Sequence, residues 1–153
     1  MQQRIDARKA SPAALQAVAA LQTYVDQSGL DAKLRELIKI RVSQINGCAY
    51  CLAMHTRDAR KIGETDERMH LLDAWREAPV FTARERAALE WAEAVTLVAQ
   101  THVPDEAFEI VRKQFSEKEI IDLTAAVAAI NTWNRVAISF RTTPQVDSQK
   151  VAA

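Results

Sequence analysis

Residues 31–63, DAKLRELIKIRVSQINGCAYCLAMHTRDARKIG, decide the fold. Asp31 is a side-chain acceptor ahead of a helical stripe, Leu34, Leu37, Ile38, Val42 and Ile45, and the stripe stops at Asn46-Gly47. The spacing predicts a helix, a glycine stop, and then a second helix from about Cys48 to Ile62 with Gly63 just past its end. At about 100° per residue, Cys48, Cys51, Leu52, His55, Ala59 and Ile62 share one arc of that second helix. Arg57, Arg60 and Lys61 fall outside it, so its polar face is accounted for without the cysteines.

The rest of the chain extends the same pattern. Among 153 residues there are three glycines and four prolines, and no stretch alternates over strand length, so the fold class is all-α. Ser11-Pro12 reads as a helix start carrying Leu15, Val18, Leu21 or Gln22, and Val25 before Gly29. Thr65 and Trp75 bracket a further helix, which Pro79 follows. Thr82 with Glu85, and Ser116 with Glu119, fit capping boxes that should each open a long helix, and Pro104 opens a short one between them. The length suits a single domain over residues 1–153, with an ordered core of several antiparallel helices over about 12–142 and a frayed tail after Pro144.

Charge and hydropathy exclude some functions. Twenty basic residues balance twenty acidic ones, so no net field would draw the protein to nucleic acid or an anionic membrane. Met1–Ala10 lacks the apolar core of a secretory signal, and the apolar run Leu123–Ile130 is too short to span a bilayer. A cytoplasmic location is expected. In that reducing compartment a Cys-x-x-Cys is more often redox-active or metal-binding than a structural staple.

The dithiol lies at an expected helix start with a histidine one turn beyond Cys51, and both features lower a thiol's pKa. A thiolate that meets a peroxide becomes a sulfenic acid, which a cysteine three residues away can condense with to form a disulfide. Two other readings use the same residues. The cysteines could simply pack in the core, or Cys48, Cys51 and His55 could bind zinc with Glu36, His70 or another subunit as fourth ligand.

The pattern Glu36-x11-Cys48-x2-Cys51-x3-His55 resembles the AhpD-like alkylhydroperoxidases of the carboxymuconolactone decarboxylase superfamily. The similarity runs on through Gln44-Ile45-Asn46-Gly47-Cys48 and through Ile130-Asn131-Thr132-Trp133-Asn134-Arg135. It implies a helical subunit, assembled as a homotrimer or homohexamer, that reduces organic hydroperoxides through a cycling disulfide. By the same resemblance, Cys51 is the peroxidatic cysteine, Cys48 resolves it, and His55 with Glu36 relays the proton. No metal or cofactor beyond the redox disulfide is implied, and a protein or small-molecule thiol restores the dithiol. The helix dipole alone favours Cys48 as the thiolate; we follow the resemblance and assign Cys51.

Several residues read differently by periodicity alone. Glu36 projects nearly opposite the stripe of its helix, the position of a solvated surface carboxylate. Asn134 continues the stripe Leu123, Val127, Ile130, where it either orders the site or bonds nearby backbone. Arg135 is expected in a salt bridge or a subunit contact. Trp75, Trp91 and Trp133 read as core or interface aromatics, and His70 and His102 as surface residues.

Overall fold

A computed structural model describes residues 2–144. Among them are nine α-helices, one short 3-10 helix and no strand. The all-α expectation holds. The helices are α1 (Ala7–Ala10), α2 (Pro12–Gln27), α3 (Ala32–Asn46), α4 (Ala49–Lys61), α5 (Asp66–Leu71), α6 (Ala83–Thr96), α7 (Val98–Thr101), α8 (Asp105–Arg112) and α9 (Glu117–Phe140).

α3 is the axis of the fold, packed against α4, α6 and α9, while α2 lies on α9 and α8 on α6. Its sequence accounts for that position. Leu34, Ile38 and Val42 enter the main core with Ala88, Ala92, Leu123, Val127 and Ile130, whereas Leu37 and Ile40 turn into a second core with Leu72, Trp75 and Leu89. A helix that is apolar on two sides must be covered on two sides. On α6, alanines 87, 88, 92 and 94 are all buried, and their small side chains let neighbouring helices approach.

The starts and stops follow local chemistry. Thr82 and Ser116 each form the full reciprocal capping box with Glu85 and Glu119, and helices of 14 and 24 residues follow. Asp31 accepts the Leu34 N–H, and Pro104 precedes α8. At the end of α3, Gly47 adopts φ 69°; its N–H bonds Gln44, and the Cys48 N–H reaches Ser43 at 3.0 Å. This is a Schellman stop, and the left-handed residue it needs is the glycine.

The structure departs from the expected boundaries in four places. Ser11 makes no side-chain cap; a separate turn, α1, precedes it, capped by the Asp6 carboxylate, so regular structure begins before residue 12. The helix after Thr65 is α-helical only to Leu71 and tightens into a 3-10 turn over Leu72–Ala74, which drives Trp75 into the second core. α7 was not expected from the sequence. Ile62 is 40% exposed, because α4 has ended at Lys61 and no longer carries the arc to which periodicity assigned it. The expected fraying after Pro144 lies outside the described residues. No described helix is long and apolar enough to cross a membrane.

Candidate active site

The two cysteines sit where α3 hands the chain to α4. Cys48 is the N-cap of α4, and its Sγ accepts the Cys51 N–H at 3.3 Å; Cys51 lies one turn into the helix. The pair is joined as a disulfide, with Cα atoms 5.3 Å apart, and each cysteine is 1% exposed. A sulfur at an N-cap receives both the backbone donor and the positive end of the helix, which favours its thiolate once reduced.

One turn beyond Cys51, His55 is buried on the same face, followed by buried Ala59. Its Nδ1 donates to Glu36 Oε2 at 2.9 Å. Glu36 is therefore not the solvated carboxylate that periodicity suggests: its side chain is 13% exposed, covered because α4 packs across that face of α3. Lys39, one turn further along α3, donates to the other carboxylate oxygen at 2.9 Å and lies 3.9 Å from Asp26. Burial pushes the Glu36 carboxyl upward, but the hydrogen bond from His55 and the charge of Lys39 outweigh it and hold the carboxyl below its ordinary value. An ionised Glu36 fixes the proton of neutral His55 on Nδ1 and leaves Nε2 as a base.

Lys39 was not singled out by the sequence, although its i,i+3 spacing from Glu36 is a usable signal. Behind the dithiol lies a second group of polar residues. Asn46, the last residue of α3, donates through Nδ2 to Asn131 Oδ1 and Asn134 Oδ1, both at 2.9 Å. Asn134, wholly buried, donates back to Ser43 Oγ at 3.1 Å, and Asn131 donates to Thr96 Oγ1 and the Val127 carbonyl. Asn134 thus bonds side chains of α3, not backbone of its own helix. Arg135 donates to the Asn131 carbonyl and amide oxygens, and among the described residues it has no carboxylate partner. The two segments flanking the dithiol motif, 44–48 and 130–135, are one hydrogen-bonded unit.

A cavity of about 380 Å³ opens beside this site, lined by Cys51, His55, Tyr50, Met54 and Trp133 among others. Gln3, Asp6 and Arg8 of the N-terminal arm form part of its wall; Arg4 fastens the arm by bonding the Phe140 and Ser139 carbonyls. Nothing in the polar N-terminal sequence marks that role. Trp75 and Trp91 are core residues, Trp133 lines the cavity, and His70 and His102 are exposed. Among the described residues, no three His, Cys, Asp or Glu side chains are arranged to hold a metal ion.

Residues 12–94 match the model of the carboxymuconolactone decarboxylase family. An uncharacterised Bacillus subtilis protein, YdfG, is 43% identical over 91% of this chain and 95% of its own. The crystal structure of an Agrobacterium tumefaciens protein of unknown function, a candidate AhpD antioxidant defence protein, superposes with a TM-score of 0.93. It is 49% identical over 95% of this chain and 100% of its own. The debrominase Bmp8 shares the fold, with a TM-score of 0.77 and 20% identity over 90% of this chain and 74% of its own.

Proposed function

Since the chain belongs to the carboxymuconolactone decarboxylase family and to its AhpD-like members, we propose that it is a thiol peroxidase reducing organic hydroperoxides through Cys48 and Cys51. One observation carries the reading: Cys51 and His55 line the same cavity, with the ring's Nδ1 tied to a largely covered Glu36. A fold shared with a debrominase does not by itself select a peroxide; the choice rests on a dithiol with its own proton relay.

In the reduced protein, His55 Nε2 takes the Cys51 proton, and the resulting imidazolium is stabilised by Glu36. The Cys51 thiolate attacks the terminal peroxide oxygen, breaking the O–O bond. The alkoxide leaves as an alcohol with the imidazolium proton, and Cys51 becomes a sulfenic acid. The Cys48 sulfur then attacks Cys51, and the hydroxyl leaves as water with the Cys48 proton, closing the disulfide. An external thiol in a reducing cytoplasm returns two electrons and two protons. The resemblance to AhpD-like proteins supports assembly into a homotrimer or homohexamer, which light scattering tests.

The test is to mix the reduced protein with one equivalent of cumene hydroperoxide and follow intact mass and free thiols. Both thiols disappear with loss of two hydrogens; Cys51→Ser has no turnover, and Cys48→Ser accumulates a sulfenic acid that dimedone traps. A wild-type dithiol that ignores the peroxide, or full turnover in Cys51→Ser, rejects the peroxidase. The former leaves a redox-sensing or metal-binding oligomer as the alternative.

A further inference from the structure

Two cavities border the dithiol, each lined by a different cysteine. Cys51 lines the larger one with His55, Met54 and Trp133, whereas Cys48 lines a second cavity of about 300 Å³ with Gly47, Ala49, Ile138 and Arg141. Tyr50, Ala137 and Thr142 border both and form the partition. The two cavities also differ chemically. The Cys51 side has the imidazole and the polar N-terminal arm; the Cys48 side has small and apolar side chains with one guanidinium at its rim.

We propose that the two halves of the catalytic cycle use opposite sides of the disulfide: the peroxide reaches Cys51 from the larger cavity, and a small reducing thiol reaches Cys48 from the smaller one. The inference rests on the peroxidase reading for its first half only. A thiolate attacks a disulfide sulfur along the S–S axis, from the side away from the sulfur that leaves, so the cavity it occupies selects the sulfur it bonds. From the smaller cavity the reductant RS⁻ bonds Cys48, the Cys48–Cys51 bond breaks, and Cys51 leaves as a thiolate on the side of His55. A second thiolate then attacks the reductant sulfur of the mixed disulfide, releasing Cys48 as a thiolate and carrying away RSSR. The two thiolates take up protons, so two electrons and two protons enter in all.

The leaving group supports this direction. A sulfur leaves faster when its charge is stabilised, and His55, one turn along the same face of α4 and lining the Cys51 cavity, can relay a proton to the departing Cys51 sulfur. The Cys51 N–H on Cys48 Sγ favours the opposite order, but it offers one long hydrogen bond and no transferable proton. Burial limits the reductant's shape. With both cysteines 1% exposed, any thiol must enter a cavity and displace part of its wall to reach a sulfur, which a small thiol can do and the flat face of a folded protein cannot.

The experiment treats the oxidised wild-type protein with 2-mercaptoethanol in the presence of iodoacetamide and maps the products by fragmentation mass spectrometry. The expected product has the mercaptoethanol adduct on Cys48 and the alkyl group on Cys51; adducts on Cys51, or shared equally, overturn the proposal. This result does not depend on reactivity toward peroxide, so failure of the peroxidase reading stays distinguishable. In the kinetic arm, Ile138→Trp narrows the smaller cavity and Val136→Trp the larger. Ile138→Trp is expected to slow reduction by dithiothreitol about tenfold more than oxidation by cumene hydroperoxide, and Val136→Trp to reverse that ratio. Equal slowing of both half-reactions in each variant overturns it.

Discussion

Two of the polar groups that α3 covers are built on opposite principles. Toward α4 it presents charge: Glu36 and Lys39, with His55 completing a chain that ends in a cavity. Toward α9 it presents neutral groups: Ser43 and Asn46, bonded to the amides of Asn131 and Asn134, with the Arg135 guanidinium donating to Asn131 at the edge of the set. Charges keep contact with the cavity, where a proton can be exchanged and desolvation is incomplete. Amides fill the enclosed side, where a satisfied neutral group costs far less to bury than an ion. The first group can move protons; the second holds still the turn that carries Cys48.

That contrast predicts a graded set of effects. The largest is expected from Glu36→Ala, which leaves Lys39 without its main partner and His55 without its orienting acceptor: a loss of about 3 kcal/mol in urea unfolding. Peroxide turnover should fall about 10–100-fold in the same variant. Next comes Asn134→Ala, which removes one of the two acceptors of Asn46 and the donor to Ser43, empties a fully buried position, and should cost about 2 kcal/mol. Because no group in that network titrates, its loss should be the same from pH 4 to pH 8, and a pH-dependent loss would erase the distinction between the two faces.

Glu36→Gln sharpens the comparison. The folded Glu36 carboxyl is held below its ordinary value of about 4.5, so the stability it contributes is fully present above that value and disappears as pH falls through the lowered one. The difference between wild type and Glu36→Gln in urea midpoint should therefore be present near neutral pH and disappear in acid, below the ordinary carboxylate value. The smallest effect is expected from Gly47→Ala, about 1 kcal/mol, since alanine must adopt φ 69° while no other atom lies within 4 Å of its Cβ. Thermal melting measures it. A much larger loss would mean that the turn is held more tightly than its open surroundings imply.

Much of this was legible in the order of residues. The capping boxes at Thr82 and Ser116, the stop at Gly47 and the shared face of Cys51 and His55 depend on neighbours within one or two turns, and each appears where spacing puts it. Glu36 is the instructive failure: periodicity placed it on the surface because its helix already had one apolar face. A resemblance to known sequences put it near His55 without a physical reason. The reason is that α4 folds back over the second face of α3. Asn134 was recognised as a polar interruption, but its partners, 88 and 91 residues away, could not be named.

The sequence by itself determined the long helices, the capped starts of α6 and α9, the stop of α3 and the relative placement of two thiols and an imidazole at the start of α4, because backbone geometry and capping act over a few residues. Only the tertiary structure decided which carboxylate meets the imidazole, that Lys39 joins it, that an N-terminal arm walls the cavity, and that the two cysteines border different cavities. Those outcomes depend on how helices pack, and packing joins residues whose separation along the chain carries no periodic signal.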